Sequence, residues 1–211
     1  MTQEEIEEVL RLHALWLDDS NQGKRADLQG TNLRNVDLSY TDLRGAYLSY
    51  ADLRGADLWG ADLHDADLRG ANLRNVDLRY TNLQWADLSF ANLRFANLRG
   101  VDLRGTNLQW ADLRGTDLQG ANLQEADLRR ANLQDANLRF ADLQGVDLSV
   151  PVPHDYCNRT QTLGEPHKEE LKGWGCLKLI LKENKKNRGI LAKGLYVLQV
   201  LGQRQRKREN T

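Results

Sequence analysis

Fifteen aspartates and nine asparagines recur at one relative position along residues 26–150. Carboxylates at a fixed spacing invite thoughts of acid–base catalysis or cation binding. Their regularity points elsewhere. Each stands between a small residue and a leucine, as in ADLRGADLWGADLHDADLRGANL over residues 51–73. A side chain that recurs once per unit is a property of the unit, and Asp or Asn can bond backbone groups around a bend. His154, Cys157, His167 and Cys176 are the other cluster with metal-ligand residue types. Its His-x2-Cys opening suits zinc, but the later gaps are irregular and no second close pair follows. These read as free cysteines and loop histidines. The chain has no nucleophile elbow, no glycine-rich phosphate loop and no HExxH. No catalytic residue, cofactor or metal is therefore expected, and an enzyme is not the reading.

The elements that position these side chains follow from the spacing. From Ala26 to Val150 the register runs through 25 pentads without insertion or deletion. The first place is Ala, Val or Thr, the second is Asp or Asn with one exception at Tyr47, and the third is always Leu. The fourth is mostly Arg, Gln or Ser, and the fifth is Gly, an aromatic or a polar residue. A helix would set each Leu about 140° from the last and scatter the leucines around its axis. A straight strand would send alternate leucines into water. The chain must bend once per pentad, with first and third places inward, the second outward, and the fourth and fifth at the corner. Repeated bending around one inward wall winds a solenoid, with Leu28, Leu48, Leu68, Leu88, Leu108, Leu128 and Leu148 among its core residues.

The A(D/N)LxG-like pentads, unbroken from Ala26 to Val150, resemble the pentapeptide-repeat family. That resemblance implies an all-β solenoid, a right-handed quadrilateral β-helix with four pentads per coil. Twenty-five pentads then make about six coils, a column of roughly 29 Å at ~4.8 Å between stacked strands. It also implies a second class of function, because some members resemble DNA in shape and negative charge and act on gyrase. This chain departs from that picture: its repeats net only −5, one face is rich in arginine, and the interrupting loops of some gyrase-protecting members are lacking.

The ends differ from the column. Residues 1–25 net −3 and residues 151–211 net +7. TQEEIEEVLRLHALWL predicts a capping helix: Thr2 with Glu5 fits a capping box, and Ile6, Val9, Leu10, His13 and Leu17 fall at helical spacing. The helix is expected over the first coil, with His13 at the edge of that interface. Pro151 and Pro153 deny ladder donors and end the solenoid. Beyond them, a small C-terminal extension is expected to cover the last coil and to end in the basic run Arg204–Arg208. No apolar run approaches the ~20 residues of a membrane span, and the acidic N-terminus is unlike a signal peptide, so a cytoplasmic protein is expected.

Two outward features go beyond what the repeat requires. At four pentads per coil, residues 20 apart stack, and one face then carries Arg34, Arg54, Arg74, Arg94 and Arg114 in a file. That face sums to +2, against −4 for the face opposite, so the file is a candidate anion-docking strip. Trp85, Phe90, Phe95 and Trp110 cluster at corners around the fourth and fifth coils and are candidate partner-binding residues. The leading expectation is a non-enzymatic protein-binding scaffold; the alternative is a DNA-mimicking inhibitor or protector of a type II topoisomerase.

Overall fold

A computed structural model describes residues 1–147. Leu148, the extension at 151–211 and its His154, Cys157, His167 and Cys176 lie outside the described residues.

Helix α1 (Gln3–Asp18) begins at a complete capping box. The Glu5 N–H donates to Thr2 Oγ1 at 3.2 Å, and the Thr2 N–H donates to Glu5 Oε2 at 2.8 Å. Ile6 is buried in the solenoid's core, with Val9 and Leu10 packed beside it. His13 does not lie at the edge of this interface. It is fully buried, and its Nδ1 accepts the Ala26 N–H at 3.1 Å, so the helix supplies an acceptor to the first residue of the repeats. The ring stacks on Trp16 with centroids 5.4 Å apart. Burial holds the His13 pKa below the ordinary histidine value. The Arg25 and Arg44 charges push the same way, against the Asp42 charge and the Arg44 backbone, and Nε2 is buried without a hydrogen bond.

The link to the first coil passes tightly under α1. The Lys24 N–H donates to the Leu12 carbonyl at 3.0 Å, and a Cβ on Gly23 would collide with the backbone of Leu12 and Trp16. Arg25 then lies over the Tyr47 ring at 3.9 Å, donates to its hydroxyl at 2.8 Å, and donates to the Gly45 carbonyl. Tyr47, the one second-place residue that is neither Asp nor Asn, is thus the seat of the cap.

From Asp27 onward the backbone bridges in parallel to the residue 20 places later, as Asp27↔Tyr47, Asn32↔Asp52 and Asp37↔Asp57. A 20-residue stagger is four pentads per coil. The Leu28 N–H donates to the Tyr47 carbonyl at 2.8 Å and the Tyr47 N–H donates back to the Ala26 carbonyl at 2.9 Å, a pattern that repeats up the column. The corner is closed twice. Each second-place Oδ1 accepts the N–H two residues on, as in Ser39 to Asp37 at 2.9 Å, and each Leu carbonyl accepts the N–H of the next pentad. Every fifth-place residue from Gly30 to Gly145 has φ between 55° and 75°, the left-handed region. The leucines inside are buried, Leu88 completely, with Leu133 near the end of the column only partly so. Where Thr replaces Ala inside, its hydroxyl bonds carbonyls: Thr106 Oγ1 donates to Leu103 at 2.7 Å and Leu83 at 3.1 Å. Among the described residues the ladder omits one rung, Asp57–Asp77. There Trp59, a fourth-place aromatic, packs on Tyr80 at 4.3 Å and under the Arg79 guanidinium at 5.2 Å.

Candidate functional site

The file of arginines is built by one local rule. Where the second place is Asp, the fourth-place Arg folds back onto it: Arg54 Nη2 lies 2.5 Å from Asp52 Oδ2, and Arg114 Nη2 lies 2.5 Å from Asp112 Oδ2. The Arg hydrogen bond holds the pKa of Asp52 and of Asp112 below the usual carboxylate range, against the opposing effect of burial. The same pairing joins Arg44 to Asp42, Arg69 to Asp67, Arg79 to Asp77, Arg104 to Asp102 and Arg129 to Asp127. Where the second place is Asn, the arginine has no such partner. Arg34 reaches up to Asp52 of the next coil at 3.8 Å. Arg74 and Arg94 form no ion pair within 4.0 Å among the described residues. The five arginines are therefore unequal: Arg54 and Arg114 each hold a carboxylate of their own pentad, Arg34 shares Asp52, and Arg74 and Arg94 pair with none.

The carboxylates are spread by a related rule. Asn82 donates to Asp62 at 3.0 Å, Asn107 to Asp87 at 3.1 Å and Asn137 to Asp117 at 2.9 Å, each across one coil. An amide at these rungs replaces the like-charge contact a second Asp would make. Gln84 and Gln109 likewise donate to Asp102 and Asp127 of the next coil.

The four aromatics named from sequence lie on three different corners. Trp85 covers Gly105, and Phe95 covers Gly115, where an added Cβ would come within 2.5 Å of its ring. The other two share a corner. Phe90 stacks on Trp110 with centroids 6.0 Å apart and planes 9° from parallel, and Arg130 lies 4.2 Å over Trp110. Tyr50 belongs to the same corner and leans on Gly70. One edge therefore reads Tyr50, Gly70, Phe90, Trp110 and Arg130 in succession. Sequence reasoning passed over Tyr40, Tyr50, Tyr80 and Phe140, all exposed. The fifth place read at intervals of 20 holds all of them in files, as the fourth place holds the arginines.

These corners are costly places for such residues. A left-handed φ disfavours any residue with a Cβ, and Asn or Asp tolerate it better than aromatics do. Eight aromatics nevertheless occupy corners and remain 46–76% exposed. The chain's chemistry is that of presentation: rings and guanidiniums at fixed height on an ordered column. Among the described residues no group of His, Cys, Asp and Glu is placed to hold a metal ion, and no helix is long and apolar enough to cross a membrane.

A family model described as pentapeptide repeats, in eight copies, matches residues 24–60, 41–79, 60–93, 81–120 and 111–149. The chain belongs to the pentapeptide-repeat family. Its structural neighbours form right-handed quadrilateral β-helices. A pentapeptide repeat protein from Nostoc PCC 7120 is 34% identical, covering 66% of this chain and 93% of its own, with a TM-score of 0.35. One from the cyanobacterium Cyanothece 51142 is 24% identical over 65% of this chain and 95% of its own, with a TM-score of 0.29. The plasmid-mediated fluoroquinolone resistance protein QnrB1 is 25% identical over 58% and 84%, with a TM-score of 0.27. Among curated proteins none matches.

Proposed function

We propose that this pentapeptide-repeat protein is a non-enzymatic binding scaffold of the cytoplasm. Its right-handed column offers the edge formed by Tyr50, Phe90, Trp110 and Arg130 to a partner protein. The observation that carries this reading is the placement of exposed aromatics at left-handed corners where glycine would be less strained. Aromatic rings bring large contact area at small entropic cost, and Arg beside them adds a directional donor.

The experiment is photo-crosslinking in a cell extract from a reactive residue placed at position 110, with position 120 as control. Gly120 is a corner of a different edge, where an added Cβ would meet nothing within 4 Å. A discrete adduct from 110 and none from 120 supports the reading; equal, diffuse labelling from both contradicts it.

DNA mimicry of a topoisomerase substrate is the competing reading, and the electrostatics count against it. Seven of the fifteen repeat aspartates carry an arginine of their own pentad. A phosphate-like row needs exposed, uncompensated charge at regular height.

A further inference from the structure

We propose that Arg74 and Arg94 form a binding site for a dianionic phosphate group. They occupy the same place on consecutive coils, next to the bridged pair Asn72↔Asn92, so their backbones stand about 4.8 Å apart. In the second-place column of this face, this is where two asparagines follow one another without an intervening aspartate. Arg74 therefore has an amide instead of a carboxylate both in its own pentad and in the next coil. Its backbone N–H bonds Asn72 Oδ1 at 3.4 Å, and its guanidinium has no acceptor among the described residues.

Arg94 is parked rather than paired. Its guanidinium lies 5.4 Å over the Phe95 ring, and its Nε is buried without a hydrogen-bond partner. Asp112 of the next coil feels the Arg94 charge, but its two oxygens are taken by Arg114 at 2.8 and 2.5 Å. A buried, unbonded donor on a cation is unfavourable, so the parked position is easily given up to an outside acceptor.

Two neighbouring guanidiniums repel until an anion lies between them. A phosphate group has the charge and the acceptor oxygens to bond both, and each arginine can offer two parallel donors. Asn72 and Asn92 bring no negative charge to these two pentads, their Oδ1 atoms accepting the Arg74 and Arg94 N–H groups at 3.4 and 3.2 Å. Above and below, Arg54–Asp52 and Arg114–Asp112 are already neutral, which limits the site to one rung. The site is separate from the aromatic edge and stands or falls without it.

The test is a titration of the full chain with inorganic phosphate, following the arginine Nε–Hε resonances by NMR at constant ionic strength. The expected result is a saturable shift confined to Arg74 and Arg94, at least tenfold weaker with acetate, and unchanged in Arg54→Gln. Arg74→Gln and Arg94→Gln should each weaken it about tenfold, the loss of one charge-assisted contact. A phosphoserine peptide and its unphosphorylated form separate the sources. Competition by the phosphopeptide alone assigns the site to a protein-borne phosphate, while no competition assigns it to the free ion. Shifts that do not saturate, or that spread equally over all arginines, would overturn the proposal, as would a response surviving the double variant Arg74→Gln/Arg94→Gln with its fold intact.

Discussion

At the scale of the residue, one place in the pentad decides what its neighbours can do. Asp at the second place accepts the turn amide and then captures the arginine two residues later. Asn accepts the same amide and leaves that arginine without a carboxylate in its own pentad, so that Arg34 and Arg99 turn to the next coil and Arg74 and Arg94 pair with none. The Leu column is stricter. Leu88 is wholly buried, and Leu88→Ala is expected to cost about 2–5 kcal/mol. Leu88→Asp would bury an unpaired carboxylate and unfold the coil. Far-UV circular dichroism and melting check this; an unchanged Leu88→Asp protein contradicts the core assignment. The corner residues behave oppositely. Phe140 is 69% exposed at φ 62°, so Phe140→Gly should leave stability unchanged or raise it by up to about 1 kcal/mol, since relief of the left-handed backbone offsets the added freedom of the unfolded chain. A chemical denaturation curve decides it.

At the scale of the element, α1 is held to the column by a few specific contacts, and two of them were hidden in the sequence. The capping box and the apolar spacing of Ile6, Val9 and Leu10 were legible because they follow local rules. The burial of His13 was not, because its partner, the Ala26 N–H, exists only once the first coil has formed. Tyr47 was visible as an exception, yet its role depends on Arg25 from another segment. The His13 contact gives the cap a pH dependence. With its folded pKa depressed, His13 adds stability that is fully present above the unfolded value of about 6.5 and is lost as the pH falls toward the folded value. Protonation of Nδ1 removes the acceptor for Ala26. The protection of α1 amides, that is, exchange corrected for the intrinsic slowing of amide exchange toward acid, is therefore expected to fall between pH 7.5 and 5, and not to do so in His13→Asn, where the amide does not titrate. An equal fall in protection in both proteins contradicts this. Deleting residues 1–22 should expose the first coil and drive end-to-end association, seen by light scattering.

At the scale of the molecule, the five-residue beat was sufficient to read a solenoid, since neither a helix nor a straight strand can bury a leucine at every fifth place. Four pentads per coil came from the family resemblance, and the 20-residue stagger of the bridges displays it. What the beat could not convey is which side chains meet between coils. The net charge of a face treated five arginines as equals, and proximity in sequence grouped four aromatics that belong to three corners. Both errors have one cause: contacts in this fold run 18 to 23 residues along the chain, so the pentad alone does not reveal them. As acid protonates the paired aspartates, whose folded pKa values are depressed by their arginines, stability that is full above about pH 4 should be lost progressively below it.

The central claim is that the corner aromatics serve binding and not stability. The measurement that tests it most directly compares the parent chain with Phe90→Gly/Trp110→Gly, recording the melting temperature and partner capture from the same extract. Losing the stacked pair costs about 0.5–1.5 kcal/mol, and relieving two left-handed corners returns a similar amount. The melting temperature is expected to stay within a few degrees of the parent while the captured protein disappears. A variant that captures the same protein undiminished, or one that unfolds as a core substitution would, contradicts the account.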